Sequence, residues 1–317
     1  MSTTQDIEVV PYHPEWPHFF ALEAELIQKT LGDACLAIHH VGSTSVPGLA
    51  AKPKIDIIAV VVNPATLTLL FKSIGYLYKG EYNIPLHYGF AKRGDVDVNL
   101  HVYEEGHPEI ELNLLFRDYL RAHSDVRDEY AALKYRLLDD PASFEKMESD
   151  FTGYNLGKNA FIRRVIQATG FNRIRLMKCT HYAEWEAARS FRQKYFFEPA
   201  GVEDAYTWTF NHPEHVHLVL YQGSEIIGYA HLQLWPNNRV AMRIIVIEEG
   251  KRNQGFGSIF LAMCEKWLER KGYKSFHAES RPTSLAFYRK NGYSDMDFND
   301  PDGYESGPDD IEVGKVF

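Results

Sequence analysis

The chain has 317 residues, a length that exceeds one typical hydrophobic core and predicts two domains of about 150 residues each. Hydrophobic residues make up 45% and charged residues 24% of the sequence, ordinary globular values that exclude a disordered or fibrous class. A formal net charge of −9 at pH 7 would repel a phosphate backbone, so we expect no nucleic-acid binding.

The apolar runs and the cysteines indicate where in the cell the protein is expected. The longest unbroken apolar run, 57–62, is far too short to span a membrane, and the N-terminus lacks a charged-then-apolar signal pattern. Cys35, Cys179 and Cys264 are widely separated and form no CxxC motif, which predicts buried, reduced thiols. We therefore expect a cytoplasmic protein without a membrane partner.

The first unusual stretch is 40–62, where a glycine- and serine-rich turn leads into an apolar strand. Small residues, hydroxyls and exposed N–H groups can hold a phosphate, a lysine can neutralise it, and a carboxylate on the strand can hold a hard cation. The sequence predicts a phosphate or nucleotide site formed by Gly42, Ser43, Thr44, Lys52 and Asp56. Asp56 is the predicted metal ligand, and because one acid holds Mg²⁺ weakly, we expect the metal only together with nucleotide.

Nucleotidyl transfer by two metal ions generally needs two carboxylates alternating on one strand and a third nearby. After Asp56 the alternate position is Ile58, which carries no acid, although Asp95, Asp97 or Glu111 could supply a carboxylate. Three roles therefore stay open for this half of the chain. They are phosphate or nucleotide binding without transfer, true nucleotidyl transfer, and a purely structural role.

Helical patterns follow the predicted site. Residues 125–170 have apolar side chains at core spacing, and Gly170 closes the run. Arg117 and Arg121 share one helix face, which is equally consistent with a functional basic pair and with a solvated face paired to neighbouring acids.

The stretch 40–62, the segment Phe116-Arg-Asp-Tyr-Leu-Arg-Ala-His123 and the segment Tyr130-Ala-Ala-Leu-Lys134 together resemble the GrpB (UPF0157) family over about residues 7–170. The resemblance implies a nucleotidyltransferase-like fold. The His-Leu-His pattern of that family is present here as Asn99-Leu100-His101, which places catalysis by this half in doubt.

An alternating strand pattern begins at Arg173, so the predicted domains are 1–171 and 172–317. Residues 222–225 and the pair Asn237-Asn238 are hairpin signals. The predicted elements of the second domain are strand 173–180, helices within 181–198, strands 216–222, 226–236 and 239–249, helix 256–271, strand 275–279, helix 284–291, and strands near 293–298 and 311–317. This order predicts a mostly antiparallel sheet flanked by helices.

The most informative motif is Arg252-Asn-Gln-Gly-Phe-Gly-Ser258, between an apolar strand and an amphipathic helix. Glycines let the backbone approach a ligand, and the first N–H groups of a helix lack partners, so the turn is a predicted pyrophosphate site. A dinucleotide fingerprint fails because Phe260 stands where a third glycine is needed. A Walker loop fails because no Gly-Lys-Ser/Thr follows Gly257.

About thirty residues later the chain reads Ser284-Leu-Ala-Phe-Tyr-Arg-Lys-Asn-Gly-Tyr293. The two motifs in this order closely resemble the GNAT acetyltransferase family over roughly 173–317. The resemblance implies acetyl-CoA as cofactor, with the strand ending at Ile247 binding the pantetheine arm and Tyr288 protonating the leaving thiolate. The cofactor-binding residues it implies are Ile245, Val246, Ile247, Lys251, Arg252, Asn253, Gln254, Gly255, Phe256, Gly257, Ser258, Ser284 and Tyr288.

The amine acceptor must also lose a proton. Glu279, His231 and Glu248 are candidate bases with none strongly favoured, and Glu279 is taken with Tyr288 as the candidate catalytic pair. The predicted acceptor loops are 199–215 and 299–310. Their acids suggest a cationic amine, and they include Asp300, Asp302, Asp309 and Asp310.

The predicted fold class is α+β / α/β, with a nucleotidyltransferase-like domain followed by a GNAT fold. The predicted function is acetyl-CoA-dependent N-acetyltransfer directly to a primary amine of a small molecule or peptide. One rival is a sensor that binds nucleotide and CoA without chemistry. The other is a nucleotidyltransferase that acts through the N-terminal domain.

Overall fold

The computed structural model describes residues 7–145, 152–303 and 307–317. The chain divides into two compact units, Met1–Arg173 and Ile174–Phe317, here called the N-terminal unit and the C-terminal unit. The boundary predicted from the sequence, between 171 and 172, lies two residues before this division. Across these ranges, every helix is too short or too polar to cross a membrane.

The N-terminal unit is a five-stranded sheet covered by helices on both faces. Its strands are β1 (Cys35–Val41), β2 (Lys54–Val61), β3 (Leu77–Gly80), β4 (Tyr88–Lys92) and β5 (Asp97–Glu104). Its helices are α1 (Trp16–Leu31), α2 (Thr68–Ser73), α3 (Pro108–Ala122), α4 (Ser124–Leu138), α5 (Gly153–Leu156) and α6 (Asn159–Ala168).

The strand order is β1-β2-β5-β4-β3, with β2 and β5 parallel and the other pairs antiparallel. Side chains alternate along β2, as expected for a strand buried on both faces. Ile55 and Ile57 pack with α1 and α2, whereas Ile58 and Val60 pack on the face of α3. Asp56 has the same parity as Ile58, so it lies on the α3 face near the start of β2.

The helical pattern predicted over 125–170 is interrupted in the structure. After α4 a short 3₁₀ turn, Pro141–Phe144, precedes α5 and α6. Proline cannot continue a helix, and a Cβ on Gly153 would stand 2.3 Å from the carbonyl oxygen of Ala142, so the chain turns tightly there. Residues 146–151 of the predicted pattern lie outside the described residues.

The C-terminal unit contains a seven-stranded sheet in the order β11-β12-β10-β9-β8-β7-β6. The strands are β6 (Ile174–Lys178), β7 (His215–Gln222), β8 (Glu225–Trp235), β9 (Arg239–Ile247), β10 (Ser275–Ser280), β11 (Ser294–Asp295) and β12 (Ile311–Val316). The helices are α7 (Tyr182–Arg192), α8 (Phe256–Arg270) and α9 (Leu285–Lys290). Among the described strands of this unit, only β9 and β10 pair in parallel, which confirms the mostly antiparallel sheet.

Local sequence explains these boundaries. Asn237 and Asn238 have φ values of 61° and 57°, a left-handed conformation that asparagine tolerates, and they connect β8 to β9. The core face of α8 carries apolar residues at helical spacing, namely Phe260, Leu261, Cys264, Trp267 and Leu268. The strand predicted near 293–298 is shorter than expected, since only Ser294–Asp295 pairs with β12.

Candidate functional site

The most open feature of the C-terminal unit is a gap between β9 and β10. These strands pair in parallel only over 239–242 and 275–278. Beyond that point β9 continues to Ile247, paired with β8 on its other side. Within the described ranges, the edge of β9 over 243–247 that faces β10 has no strand partner. Its N–H and C=O groups can therefore hydrogen-bond an extended ligand.

A β-bulge at the start of this free edge changes the direction of β9. His231 pairs with Ile244 and Leu232 pairs with Met242, so Arg243 is the extra residue on β9. Bulges bend a strand and redirect its side chains, often next to active sites. The bulge explains why β9 leaves β10 at this point.

The Arg243 side chain is held by several acceptors beside the gap. Its guanidinium donates to Gln233 Oε1 at 2.8 Å and 2.6 Å and to the carboxylate of Asp300. Gln233 in turn donates to Asp302 Oδ2 at 2.8 Å. Glu279 Oε2, on β10, lies 3.9 Å from Arg243 Nη1. This polar cluster lies at the point where the two strands separate.

The turn between β9 and α8 exposes the N-terminus of α8. Asn253 and Gly255 have φ values of 62° and 86°, and Gly255 precedes the first helical residue, Phe256. No side chain caps this end of the helix. A Cβ built on Gly255 would meet nothing within 4 Å, so the space in front of the turn is open. Unpaired N–H groups at such a terminus attract anions.

The two cations of the turn are tied to neighbouring groups. Lys251 Nζ donates to Gln222 Oε1 at 2.9 Å. Arg252 Nε donates to the carbonyl oxygen of Ile247 at 2.9 Å, and its guanidinium lies 4.7 Å from the ring centre of Tyr195. The hydrogen bond from Arg252 therefore holds the turn next to the end of β9.

Tyr288 lies on α9, which packs on the first turn of α8. A Cβ added to Gly257 would stand 3.1 Å from the Phe287 ring, so glycine at this position lets the two helices lie close together without displacing that ring. Tyr288 is 5% exposed, with its ring 5.3 Å from that of Tyr293. Burial raises the pKa of the Tyr288 phenol above its ordinary value, so the hydroxyl keeps its proton at neutral pH. Ser284 is exposed just before α9.

A buried chain of polar groups runs from α7 to β7. Arg192 donates to Asp204 at 2.9 Å and to His231 Nδ1 at 3.2 Å. An arginine can only donate, so His231 Nδ1 accepts and His231 Nε2 carries the proton, which it donates to His215 Nδ1 at 2.8 Å. Burial, with repulsion from His217 and Arg192, lowers the pKa of His231 well below its ordinary value.

Of the three candidate bases, only Glu279 fits the gap. His231 has no free lone pair, because one ring nitrogen accepts from Arg192 and the other is protonated. Glu248 is hydrogen-bonded to Lys194 at 2.9 Å, and this bond lowers the pKa of the carboxyl group. Glu279 is partly exposed and lies on β10 where the strands separate.

A second polar site lies in the N-terminal unit around Asp56. Gly42 has φ 67°, and a Cβ there would stand 2.4 Å from Asp56 Oδ2. Glycine at position 42 therefore permits the close approach of the carboxylate. Asp56 Oδ1 accepts from Asn99 Nδ2 at 2.8 Å, across the β2–β5 ladder.

Lys134, on α4, reaches into this site. Its side chain is almost fully buried, at 3% exposure. Its Nζ donates to Ser43 Oγ and to the carbonyl oxygen of Ala50, both at 2.7 Å. Burial and the nearby Lys158 lower the pKa of Lys134 to about 7.

Two further lysines complete a basic cluster. Lys52 Nζ and Lys158 Nζ lie 4.3 Å and 4.6 Å from the centre of the buried Tyr154 ring. Burial, followed by repulsion from neighbouring lysines, lowers the pKa of each to about 8, while the negative charge of Asp56 acts in the opposite direction. We call Lys52, Lys134 and Lys158 the lysine cluster.

A pair of histidines lies on the same face. His87 Nδ1 donates to the carbonyl oxygen of Glu81 at 3.2 Å, and burial keeps the His87 pKa well below its ordinary value. His87 Nε2 must therefore accept from His101 Nδ1, 3.0 Å away. The lone pair of His101 is then on Nε2, and the charge of Asp56 acts on this ring.

The sequence matches the GrpB protein family over residues 6–168, just over half of the chain. The chain belongs to the GrpB family. The sequence also matches the acetyltransferase (GNAT) family over residues 182–293. The N-terminal unit is thus a GrpB domain and the C-terminal unit a GNAT acetyltransferase domain.

Relatives match one domain at a time. A UPF0157 protein of Halalkalibacterium halodurans is 42% identical over 134 residues, which are 41% of this chain and 69% of that protein. UPF0157 protein YqkA of Bacillus subtilis is 42% identical over 135 residues, which are 41% of this chain and 39% of that protein.

Two solved structures each cover about half of the chain. A GrpB protein from Enterococcus faecalis is 33% identical and covers 51% of this chain and 96% of its own, with a TM-score of 0.46. A putative N-acetyltransferase from Lactobacillus plantarum is 21% identical and covers 46% of this chain and 99% of its own, with a TM-score of 0.39.

In the GNAT domain, the predicted cofactor residues come together around the gap. The segment 245–247 forms the free edge of β9, 251–258 forms the turn and the start of α8, and Tyr288 lies on the adjacent α9. Their roles in binding and catalysis stay predictions.

The acids of the loop 299–310 do not support the predicted attraction of a cationic amine. Asp300 and Asp302 are bound by Arg243 and Gln233, and Asp310 accepts from the backbone N–H of Gly307. Each of these carboxylates therefore already accepts a hydrogen bond within the domain. Residues 304–306 of this loop lie outside the described residues.

In the GrpB domain, the Thr44 side chain is buried, donates to the carbonyl oxygen of Lys54 and lies 3.1 Å from His40 Nε2, so its hydroxyl is used within the domain. Gly42, Ser43, Lys52 and Asp56 do lie in one region. Sequence reasoning missed Lys134, Lys158 and His101, which only tertiary contacts bring there.

The predicted metal site at Asp56 does not fit the residues present. Among the described residues, no group of three or more His, Cys, Asp or Glu side chains could hold a metal ion. Asp97 pairs with Lys54 at 3.7 Å, and Glu111 pairs with Arg173 at 2.9 Å. Asp56 acts electrostatically on Lys52, Lys134 and Lys158, whose positive charges disfavour a cation.

The paired arginines of α3 hold the backbone. Arg117 Nη1 donates to the carbonyl oxygen of His40 at 3.0 Å, and Arg121 donates twice to that of Ser45, at 3.0 Å and 2.7 Å. Both also pair with Asp118. They fix the turn that carries Gly42 and Ser43.

Proposed function

We propose that the GNAT domain transfers the acetyl group of acetyl-CoA directly to a primary amine of a small molecule or peptide. The observation that carries the proposal is the gap between β9 and β10, with the uncapped turn of α8 at one end and Tyr288 beside it. Backbone groups over 244–247 would bind the pantetheine arm, and N–H groups over 256–258 would bind the pyrophosphate.

The chemistry needs one proton donor and one proton acceptor. The amine nitrogen attacks the thioester carbonyl carbon, the carbon–sulfur bond breaks, and the Tyr288 hydroxyl gives its proton to the sulfur. Glu279 takes the proton that the amine loses, directly or through water, and passes it to solvent. Tyr288 then recovers a proton from solvent, so the cycle is balanced.

Direct transfer is favoured over an acyl-enzyme because the cysteines offer no nucleophile. Cys35, Cys179 and Cys264 are all free and buried. Burial raises the pKa of the Cys179 and Cys264 thiols, so both stay protonated, and a thiol reacts as its thiolate.

A panel of amines incubated with acetyl-CoA tests this function, with release of the free CoA thiol as the readout. The panel should include small polyamines, amino sugars and peptides with free N-termini. Turnover with at least one class, saturable in both substrates, is the expected result. Tight acetyl-CoA binding without turnover for any amine would favour the rival, a sensor that binds without chemistry.

Acetyl-CoA is expected to stabilise the GNAT domain against heat. At a ligand concentration about a hundred times Kd, the free energy of unfolding should rise by about 2.7 kcal/mol. For a domain of this size each kcal/mol shifts Tm by roughly 2–4 °C. Differential scanning calorimetry of the full chain measures the shift, and millimolar acetyl-CoA without any shift would contradict the assignment.

A side chain at Gly255 is expected to weaken acetyl-CoA binding without unfolding the domain. Asparagine tolerates the φ of 86° at this position, and its Cβ would project into the open space before the turn. Gly255→Asn should raise Kd by about tenfold, or about 1.4 kcal/mol, while Tm changes little. Calorimetric titration measures Kd.

Gly272→Asn is the matched control for this substitution. Gly272 follows the other end of α8, has φ 88° and also has nothing within 4 Å of an added Cβ. The same strain is introduced there, far from the proposed pyrophosphate, so Kd should not change. Equal loss of affinity in both variants would show that the backbone, and not the ligand space, is affected.

A further inference from the structure

The GrpB domain buries more positive than negative charge at one place. Lys158 lowers the pKa of Lys134, Lys52 lowers that of Lys158, and Asp56 raises the pKa of all three lysines. Asp56 is the one carboxylate that acts on all three among the described residues, and one of its oxygens already accepts from Asn99. Three ammonium groups thus share a single carboxylate.

This imbalance is costly in the free protein, because Lys134 is buried and Lys52 and Lys158 are partly buried, and a charge removed from water needs a partner of opposite sign. Lys52 has a ring contact with Tyr154 and, within the described ranges, no ion pair. Lys158 has a ring contact with Tyr154 and a long hydrogen bond, 3.4 Å, to Asn155 Oδ1. Neither contact neutralises an ammonium group. An anion bound between Lys52 and Lys158 would neutralise both.

We propose that the lysine cluster binds the phosphoryl group of a small phosphorylated molecule without a divalent cation. Lys52 and Lys158 supply charge and mobile donors. Lys134 is fixed by Ala50 and donates to Ser43 Oγ, which leaves the hydroxyl hydrogen of Ser43 free to donate to a phosphate oxygen. The inference concerns the GrpB domain and does not depend on acetyl transfer by the GNAT domain.

His101 adds a preference for a ligand that carries a hydroxyl group. The carbonyl oxygen of Glu81 sets the tautomer of His87, which in turn leaves His101 Nε2 as an acceptor. His101 is close enough to Asp56 for the two charges to interact, so this acceptor adjoins the lysine cluster. The ligand class that fits is a phosphate ester of a hydroxylated molecule, such as a nucleotide or a sugar phosphate.

The role of Asp56 follows from the same charges. Mg²⁺ requires near-octahedral oxygen ligands, and among the described residues Asp56 belongs to no group of three or more His, Cys, Asp or Glu side chains that could hold a metal ion. Its negative charge instead keeps the lysines protonated. A metal ligand and a counter-ion predict opposite effects when Asp56 becomes neutral, and this difference can be measured.

Calorimetric titration of the full chain with inorganic pyrophosphate, orthophosphate, glucose 6-phosphate and AMP tests the site. Binding of at least one probe should persist in EDTA. Lys52→Gln and Lys158→Gln should each raise Kd about tenfold or more, because each removes a charge-assisted hydrogen bond. Lys72→Gln makes the same change on the exposed face of α2 and should have no effect. Tighter binding of AMP or glucose 6-phosphate than of orthophosphate would support the role of His101.

Asp56→Asn gives the sharpest distinction. Asparagine has the same shape and its Oδ1 still accepts from Asn99, so the domain should fold. At pH 5.5, well below the lysine pKa values of about 7 to 8, the cluster should stay largely charged in the variant, so removal of the carboxylate should strengthen pyrophosphate binding several-fold if the cluster binds anions directly. The proposal would be overturned in favour of a metal site if Asp56→Asn bound pyrophosphate more weakly than the wild type and if Mg²⁺ strengthened binding in the wild type but not in the variant.

Proton uptake provides an independent readout. A bound anion favours the ammonium form, so at pH 8 binding should be accompanied by proton uptake, and affinity should fall as pH rises through 7–8. Titration in buffers of different ionisation enthalpy measures the protons. Besides its own members, Lys54 and Asp56 act on the ionisation of the cluster. The rings of Tyr130 and Tyr154 contact its ammonium groups.

Three further results would overturn the inference. They are the absence of binding for all four probes, binding that EDTA abolishes, and binding that Lys52→Gln and Lys158→Gln leave intact. In that last case the anion would sit on the α8 turn, and acetyl-CoA would compete with it. Release of pyrophosphate from ATP that depends on metal and on Asp56 would instead assign nucleotidyl transfer to this domain. Acetyl-CoA turnover should be unchanged in the lysine variants, so failure here and failure of the acetyltransferase assignment are distinguishable.

Discussion

Replacement of Tyr288 by phenylalanine is expected to lower kcat for acetyl transfer about 10²-fold while the affinity for acetyl-CoA stays nearly unchanged. The substitution removes the proton donor but keeps the ring that packs against Phe287 and Tyr293. Because burial raises the pKa of Tyr288, its hydroxyl should remain a donor well above neutral pH. We therefore expect that deprotonation of Tyr288 does not lower kcat at any pH below about 10.

Tyr293→Phe is the control for this experiment. It removes a hydroxyl from a buried neighbouring ring, 5.3 Å away, whose surroundings include Glu265. Stability could change in this variant, but kcat should not fall by more than about twofold. Wild-type turnover in Tyr288→Phe would assign that residue to packing alone. A large increase in Kd for acetyl-CoA would assign it to cofactor positioning.

The GNAT site was largely predictable because its parts are close in sequence. The apolar strand, the glycine turn and the amphipathic helix follow each other within 239–270, and local chemistry sets each boundary. The left-handed φ of Gly255 and the close contact at Gly257 explain why glycine occurs at both positions. The bulge at Arg243 was not predictable, since it depends on the register with β8.

The GrpB site was predicted only in part because its charges come from distant segments. Lys134 bonds Ser43 across 91 residues of sequence, and Asn99 bonds Asp56 across 43. A sequence scan finds the carboxylate and the glycine turn but not the lysines that surround them. For this reason the metal site was predicted at Asp56 without the lysines whose charges oppose a cation there.

The buried histidine network was also missed. His215 and His217 alternate on β7, and His217 pairs with His231 on β8. Two histidines at i and i+2 on a predicted strand, with a third on the next strand of a hairpin, could have indicated it. Their tautomers could not be derived, because Arg192 sets them from another element.

Loss of the buried partner of Arg192 is expected to be the most destabilising single change in the GNAT domain. Asp204→Ala should lower the free energy of unfolding by about 3–5 kcal/mol, because the guanidinium is left buried without a counter-charge. The side chains of Arg192 and Asp204 are only 1% and 9% exposed. Arginine cannot escape the cost by losing its proton. Urea denaturation of the full chain, followed by tryptophan fluorescence, measures the loss.

The double variant Arg192→Met/Asp204→Leu separates this cause from a packing defect. With both charges gone, an apolar pair of similar volume should restore most of the lost stability. If the double variant is no more stable than Asp204→Ala, the loss reflects packing.

The pH dependence provides a further check on the same pair. Burial pushes the pKa of Asp204 upward, but the hydrogen bonds from Arg192 and from the backbone N–H of Tyr206, with the charge of Arg192, together outweigh it and hold the pKa below its ordinary value. The contribution of the pair is therefore present above about pH 4 and is lost as the pH falls further. Wild type should lose stability in this acid range, and the double variant should lose less.

Because Arg192 also fixes the tautomer of His231, the double variant leaves His231 Nδ1 without its donor. The pKa of His231 should then rise, since the positive charge that opposes its protonation is removed. NMR titration of the histidine ring protons would detect this change.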